Sequence, residues 1–237
     1  MLSLGFGRKK APLLGLDIGS TAVKLIELSQ AGAGSPHTYR VESCALEPLP
    51  PGAISERKIA DPRLVGEAIR KAVARSGTRA KAAAVAMSGA AAITKIITLP
   101  AGLGEEEMEN QIKMDADQYI PYSLDEVDID FTVLGPAATV GEVDVLLAAA
   151  RHEIANNLII ALDIAGLKTS IIDVEPYALG NACILSLDAQ AEGQTIAIVD
   201  IGANAMRIQV MRENRVLFTR EQGFAAAQLF EEVQHRY

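Results

Sequence analysis

The sequence has little with which to hold a transition metal or staple itself together. Its 237 residues contain two cysteines, Cys44 and Cys183, and three histidines, His37, His152 and His235, and no two of these have a metal-ligand spacing. A zinc site and a disulfide framework are therefore excluded as organising features. Long apolar runs are missing too: Asp163 interrupts the stretch from Leu158 to Leu167, and the stretch from Ala82 to Ile93 is short and alanine-rich. Neither reaches the ~20 residues that a transmembrane segment needs. There is no excess of positive charge; the formal net charge of −8 argues against broad binding to the phosphate backbone of a nucleic acid. The opening MLSLGFGRKK places its basic residues after the apolar ones and carries no export cleavage pattern. It reads as a frayed terminus, and the cytoplasm is the expected compartment. What remains is an ordinary globular composition, 49% hydrophobic and 22% charged, long enough for one large domain or two ordinary ones.

The informative feature is a repeat at long spacing. LGLDIGSTAVKLIELS, from Leu14 to Ser29, lies beside AIVDIGANAMRIQVM, from Ala197 to Met211. Asp17, Ile18, Gly19 and Ala22 recur as Asp200, Ile201, Gly202 and Ala205, while Lys24 matches Arg207 and Leu25 matches Ile208. Each copy reads as an apolar strand, a D-I-G turn and a second strand; a third strand follows at Thr38 to Leu46 in one copy and at Arg215 to Arg220 in the other. A spacing this long excludes a solenoid, whose units run to about 20–50 residues. Two related lobes with a cleft between them are expected.

The rest alternates α and β. Asp61 is a good N-cap, Pro62 suits the first helical turn, and Leu64, Val65, Ala68, Ile69, Ala72 and Val73 form one apolar stripe before Gly77 stops the helix. Strands are expected at Ala83 to Met87, Ile93 to Leu99, Val127 to Val133, Val143 to Ala149 and Thr169 to Val174. Helices are expected from Glu105 to about Tyr119, from His152 to Ala165, and from Pro176 to about Leu187. The domain reading is a first lobe at 1–79, an inserted α/β subdomain at 80–167, a return to the first lobe at 168–190 with a linker at Gln190 to Gln194, and the start of a second lobe at 191–237.

A D-I-G turn at the end of a strand sets a carboxylate beside a backbone with no side chain at glycine, so that phosphate oxygens can approach N–H groups closely. In the first copy Ser20 and Thr21 add hydroxyls and Lys24 adds a charge. Two such turns suit a triphosphate with magnesium, an ion that takes a few carboxylates plus phosphate oxygens and waters. One D-I-G alone is more often a structural turn; the matched pair, each between strands, is what points to phosphate.

These residues resemble the phosphate motifs of the actin, heat-shock chaperone and sugar kinase superfamily: LDIGST at Leu16 to Thr21 is similar to the first, and VDIGAN at Val199 to Asn204 to the second. Within it the sequence resembles the PilM family of type IV pilus assembly proteins. The match rests on GLDIGSTAVKLIELS, on MENQIKMDADQYIPYSLDEVDIDF from Met108 to Phe131, on DVEPYALGNA from Asp173 to Ala182, and on VDIGANAMRIQVMRENRVLFTREQGF from Val199 to Phe224. The resemblance implies an α/β actin-like ATPase (ribonuclease H-like) fold with an inserted FtsA-like α/β subdomain. It implies ATP and Mg2+ as cofactors, with Asp17, Gly19, Ser20, Thr21, Lys24, Asp200, Gly202 and Asn204 at the nucleotide and Asp17 and Asp200 at the metal. Glu175 matches the acidic residue that positions attacking water in the superfamily; its other reading is a helix N-terminal carboxylate ahead of Pro176, and Asp173 is a second candidate. The family's glycine-rich adenosine loop has no counterpart in this sequence, so an incomplete second lobe, the phosphate half of the site and at most slow ATPase activity are expected.

The implied role is that of an adaptor recruited to the inner face of the inner membrane. Its partners are the N-terminal cytoplasmic tail of PilN and other pilus inner-membrane and motor components. Tyr119, Pro121 and Tyr122 supply rings and a rigid turn for an extended peptide, and Asp125 and Glu126 supply charge that steers a basic tail. Tyr119 also reads as the last residue of a buried helical stripe, and each acidic residue as part of a solvated face. Two other functions share the fold: an FtsA-like division protein, and a phosphotransferase or hydrolase.

Overall fold

The computed structural model describes residues 12–30, 38–185, 193–213, 215–223 and 226–236. The opening MLSLGFGRKK, the expected helix end at Leu187 and residues 190–192 of the expected linker lie outside the described residues. The chain divides into two compact units, one drawn from Met1–Ile54, Ala60–Ala86 and Ile159–Ile172, the other from Ser55–Ile59, Met87–Leu158 and Asp173–Tyr237.

The chain opens with β1 (Leu13–Ile18), β2 (Ala22–Gln30) and β3 (Tyr39–Pro48), an antiparallel meander. A short hairpin of β4 (Ile54–Ser55) and β5 (Lys58–Ile59), which the sequence pattern did not announce, leads to α1 (Pro62–Ser76). The Asp61 carboxylate accepts hydrogen bonds from the N–H groups of Arg63 at 2.8 Å and Leu64 at 3.3 Å, and Gly77 ends the helix at φ 69°. Both ends of α1 are thus set as its sequence predicts. β6 (Ala82–Met87) pairs in parallel with β1 and, with the later strand β10 (Lys168–Val174), completes a five-stranded sheet of order β10-β6-β1-β2-β3. Leu14, Leu16, Val23 and Leu25 point to its buried face, and Val65, Ile69 and Ala72 of α1 are buried as well. β6, which lies inside the range read as the insertion, is a strand of this first sheet.

β7 (Ala92–Pro100), α2 (Glu105–Met114), β8 (Val127–Pro136) and β9 (Glu142–Arg151) form a second layer, a sheet of order β7-β9-β8 with α2 packed on it. Its core is Ile97, Leu99, Met108, Ile112, Val145 and Leu147. The helix expected to run to Tyr119 ends at Met114 and gives way to a 3-10 turn at Ala116–Gln118. The reason is local and tertiary together. Asp115, a weak helix former, accepts a hydrogen bond from the Gln111 side-chain amide at 2.7 Å, and Ala116 and Ile120 turn inward to a second small core with Val127 and Ala149.

α3 (His152–Ile164) ends before Gly166, at φ 76°, and β10 (Lys168–Val174) returns to the first sheet. α4 (Glu175–Leu185) follows, then β11 (Thr195–Ile201), β12 (Met206–Arg212) and β13 (Arg215–Gln222) as a second antiparallel meander, and α5 (Ala226–Arg236). Both meanders read from the repeat are present. Each third strand runs two residues beyond its expected end, to Pro48 and to Gln222.

Candidate functional site

The two D-I-G turns have the same backbone. The Gly19 N–H donates to the Ala22 carbonyl at 3.0 Å, and the Gly202 N–H donates to the Ala205 carbonyl at 2.9 Å. A Cβ on Gly19 would lie 3.2 Å from that carbonyl oxygen, and one on Gly202 3.0 Å. A side chain there would crowd that oxygen, and the glycine N–H closes the hairpin instead of standing exposed to a ligand, contrary to the sequence expectation. In the first turn Ser20 and Thr21, whose hydroxyls can donate, lie between the two bonded residues; Asn204 is exposed at the corresponding place in the second.

In both repeats the aspartate is paired across the strands with the basic residue seven positions on. Asp17 faces Lys24 in the β1–β2 register, and their charged atoms are 2.7 Å apart. Asp200 faces Arg207 in the β11–β12 register at 3.0 Å. The surroundings differ sharply. Lys24 and Asp17 have side chains 60% and 52% exposed, a pair of the class worth about 0–1 kcal/mol. Arg207 is 10% exposed, and besides Asp200 it donates to Glu175 at 2.8 Å, with its Nε 3.9 Å from Glu221.

Strand register explains the second cluster. On β12 Arg207 has Asp200 opposite it on one neighbour and Glu221 opposite it on the other. Its counterpart Lys24 has Asp17 on one side but Leu46 on the other. Glu175 is the first residue of α4, where the helix dipole also favours a negative charge. α4 is held close to β12 through Gly180, where a Cβ would fall 2.7 Å from Met211 Cε and 2.9 Å from Gln209 Nε2. Glu221 and Arg57, which pairs with it from the β4–β5 turn, were not legible as site residues. The nearest signal was the match of Arg207 to Lys24. Asp173 accepts a hydrogen bond from the N–H of Val174 and stands apart from the ion pairs of Arg207.

Magnesium fits the two turns unequally. At the first, an exposed carboxylate stands beside two hydroxyl residues, and phosphate oxygens and waters would complete the shell. At the second, the Asp200 carboxylate already carries a guanidinium. Among the described residues no group of three or more His, Cys, Asp or Glu side chains is arranged to hold a metal ion.

The residues expected to meet a partner cluster where β8 begins and β9 ends. Tyr119 is half-buried and packs on both cores beside the β7-β9-β8 sheet, so its ring anchors the loop. Pro121 is exposed, and Tyr122, 41% exposed, carries the Arg151 guanidinium 5.2 Å from its ring centroid. Asp125 and Glu126 are exposed; the Ser123 hydroxyl donates to Asp125 and holds its carboxyl below the usual range. His152 Nδ1 lies 3.0 Å from Asp128, and that hydrogen bond raises the imidazole above its ordinary value. β8 is an outer strand of its sheet.

A duplicated strand–turn–strand unit with a D-I-G in each copy, on a mixed α/β frame, defines an actin-like ATPase fold. Two solved structures share the fold alone. One is the ethanolamine utilization protein EutJ from Carboxydothermus hydrogenoformans (TM-score 0.53, 16% identity, 97% of this chain and 58% of that one). The other is the cytoplasmic domain of EpsL of the type II secretion system of Vibrio cholerae (TM-score 0.53, 12% identity, 94% and 74%). Residues 15–237 match the family described as Type IV pilus assembly protein PilM, and the chain belongs to that family. It is similar to a chain of the PilM-PilN type IV pilus biogenesis complex at 29% identity and TM-score 0.80, over 97% of its own length. It spans 66% of that chain. Among the described residues no helix is long and apolar enough to cross a membrane.

Proposed function

We propose that this chain is a nucleotide-responsive cytoplasmic adaptor of type IV pilus assembly that captures the N-terminal cytoplasmic tail of a PilN-like inner-membrane protein and couples other membrane-complex and motor components to it. The observation that carries this reading is the similarity, over 97% of the chain, to a component of the PilM-PilN complex. The surface around Tyr122 supports it. An outer strand offers backbone groups to an extended peptide, an aromatic ring offers an anchor, and Asp125 and Glu126 attract a basic tail. Tyr122→Ala combined with Asp125→Lys weakens binding of a fluorescent PilN tail peptide by about tenfold or more in anisotropy, as the loss of an anchor residue does, with the melting temperature within a few degrees of the parent. Parental affinity in the folded double variant would place the tail elsewhere.

ATP and Mg2+ are the proposed cofactors. Asp17 takes the ion, Ser20, Thr21 and Lys24 take phosphate oxygens beside Gly19, and Asn204 supplies the polar contact of the second turn beside Gly202. Lys24 can exchange its exposed carboxylate partner for a phosphate because the pair contributes so little. Glu175 is the proposed water-positioning carboxylate, and its ion pair with Arg207 accounts for slow turnover at most. In a calorimetric titration Asp17→Ala weakens Mg-ATP binding; unchanged affinity would remove the nucleotide from this turn.

A further inference from the structure

The start of β12 holds a charge that is almost fully shielded and heavily countered. Arg207 touches Asp200 and Glu175 at 3.0 and 2.8 Å, and Glu221 flanks it on the third side. Arginine stays protonated at any pH at which a protein is folded, and its planar fork binds carboxylates in fixed directions. Glu221 is itself gripped from the far side by Arg57. That residue sits with Glu56 at the tip of the β4–β5 hairpin, both with positive φ, 61° and 48°. Such a tip is normally Asn-Gly, and glutamate and arginine adopt it only when the surroundings hold them there. The cluster thus has two independent signs of being held: register on one side and an unfavourable turn on the other.

We infer that Arg207 is the resident cation of the second D-I-G turn. It fills the place that a divalent ion would take at Asp200 and fixes the Glu175 carboxylate, so this turn binds no metal of its own. A divalent ion at Asp200 would bring two further positive charges against a guanidinium that cannot lose its proton. Magnesium and manganese also demand carboxylate oxygens in their own directions, and here the fork already sets those directions. The first repeat keeps only the cross-strand pair of aspartate and cation. Lys24 is exposed, and Leu46 stands where Glu221 does. The duplication has therefore produced one turn open to an ion and one closed to it.

The test uses Mn2+ alone, without nucleotide, so its outcome is separate from that of nucleotide binding. Free Mn2+ is followed by electron paramagnetic resonance in titrations of the full chain carrying Asp17→Asn, which removes the first turn. In that background Asp200→Asn leaves the Mn2+ titration unchanged, because the ion never uses this carboxylate. Arg207→Gln, which removes the cation held against Asp200, tightens Mn2+ binding by about tenfold or more, and adding Asp200→Asn abolishes the gain. A loss of Mn2+ binding on Asp200→Asn alone would overturn the inference, as would a folded Arg207→Gln variant with parental affinity. Should Arg207→Gln fail to fold, the comparison of parent with Asp200→Asn still decides, since that change keeps side-chain shape.

Discussion

Replacing Lys24 and Arg207 by methionine in parallel tests whether burial, and not the shared D-I-G pattern, sets what each pair contributes. The two residues occupy equivalent places in the repeat, each across from an aspartate seven positions earlier. Lys24→Met removes one partner of a pair that is 60% and 52% exposed, which costs about 0–1 kcal/mol. Arg207→Met removes a side chain 10% exposed and leaves Glu175, Asp200 and Glu221, at 32%, 42% and 13% exposure, without their common counter-ion. Breaking a buried pair typically costs about 3–5 kcal/mol. Glu175 and Asp200 recover some hydration and Glu221 keeps Arg57, so the lower end, about 3 kcal/mol, applies. For a chain of this size that corresponds to a fall of about 6–12 °C in Tm, against about 0–4 °C for Lys24→Met. Thermal melting followed by circular dichroism reads both. Adding Glu175→Gln and Asp200→Asn to Arg207→Met should recover part of the loss, because neutral groups no longer repel one another. Equal shifts in the two single variants, or no recovery in the combined one, would refute the argument from burial.

Gly66→Ala should destabilise by about 1–2 kcal/mol although alanine is the better helix former by about 1 kcal/mol. The new Cβ would sit 2.7 Å from the Ala161 carbonyl oxygen and 2.7 Å from Ile164 Cβ, contacts in which a backbone atom must move; an unchanged or higher Tm would show that α1 and α3 separate at no cost. The His152 imidazole, raised chiefly by its hydrogen bond to Asp128, should titrate above the ordinary value near 6.5, and Asp128→Asn should bring it down. The link contributes fully below that ordinary value and is lost as pH rises through the folded one, so NMR titration curves that coincide in parent and variant would remove Asp128 as the cause.

Local signals were legible where the deciding forces are local. Asp61, Pro62 and Gly77 bracket α1 because a cap, a preset φ and a left-handed stop act within a single turn of the chain. The repeat was legible because both copies alternate the same kinds of strand residue and place glycine at the same close approach. The end of α2 was not, since Asp115 and Ala116 could continue a helix, and a second core formed with Val127 and Ala149 turns the chain. Nor was the place of β6, whose alanine-rich sequence suits either sheet until its parallel register with β1 is seen.

The candidate site divides the same way. Asp17, Lys24, Asp200 and Arg207 were visible as repeat positions, Asp17 matching Asp200 and Lys24 matching Arg207, but that each aspartate faces the basic residue seven positions on is set by the hairpin register. What those pairs do was decided by elements far away in sequence. α4 brings Glu175, β13 brings Glu221, and the β4–β5 turn brings Arg57 to the second pair, while the first pair is left in water. Sequence alone determined the repeated D-I-G unit and the acidic and basic positions its two copies share. Tertiary structure alone decided which pair is open, because the strength of a charge pair depends on the water excluded around it, and no short stretch of sequence specifies that.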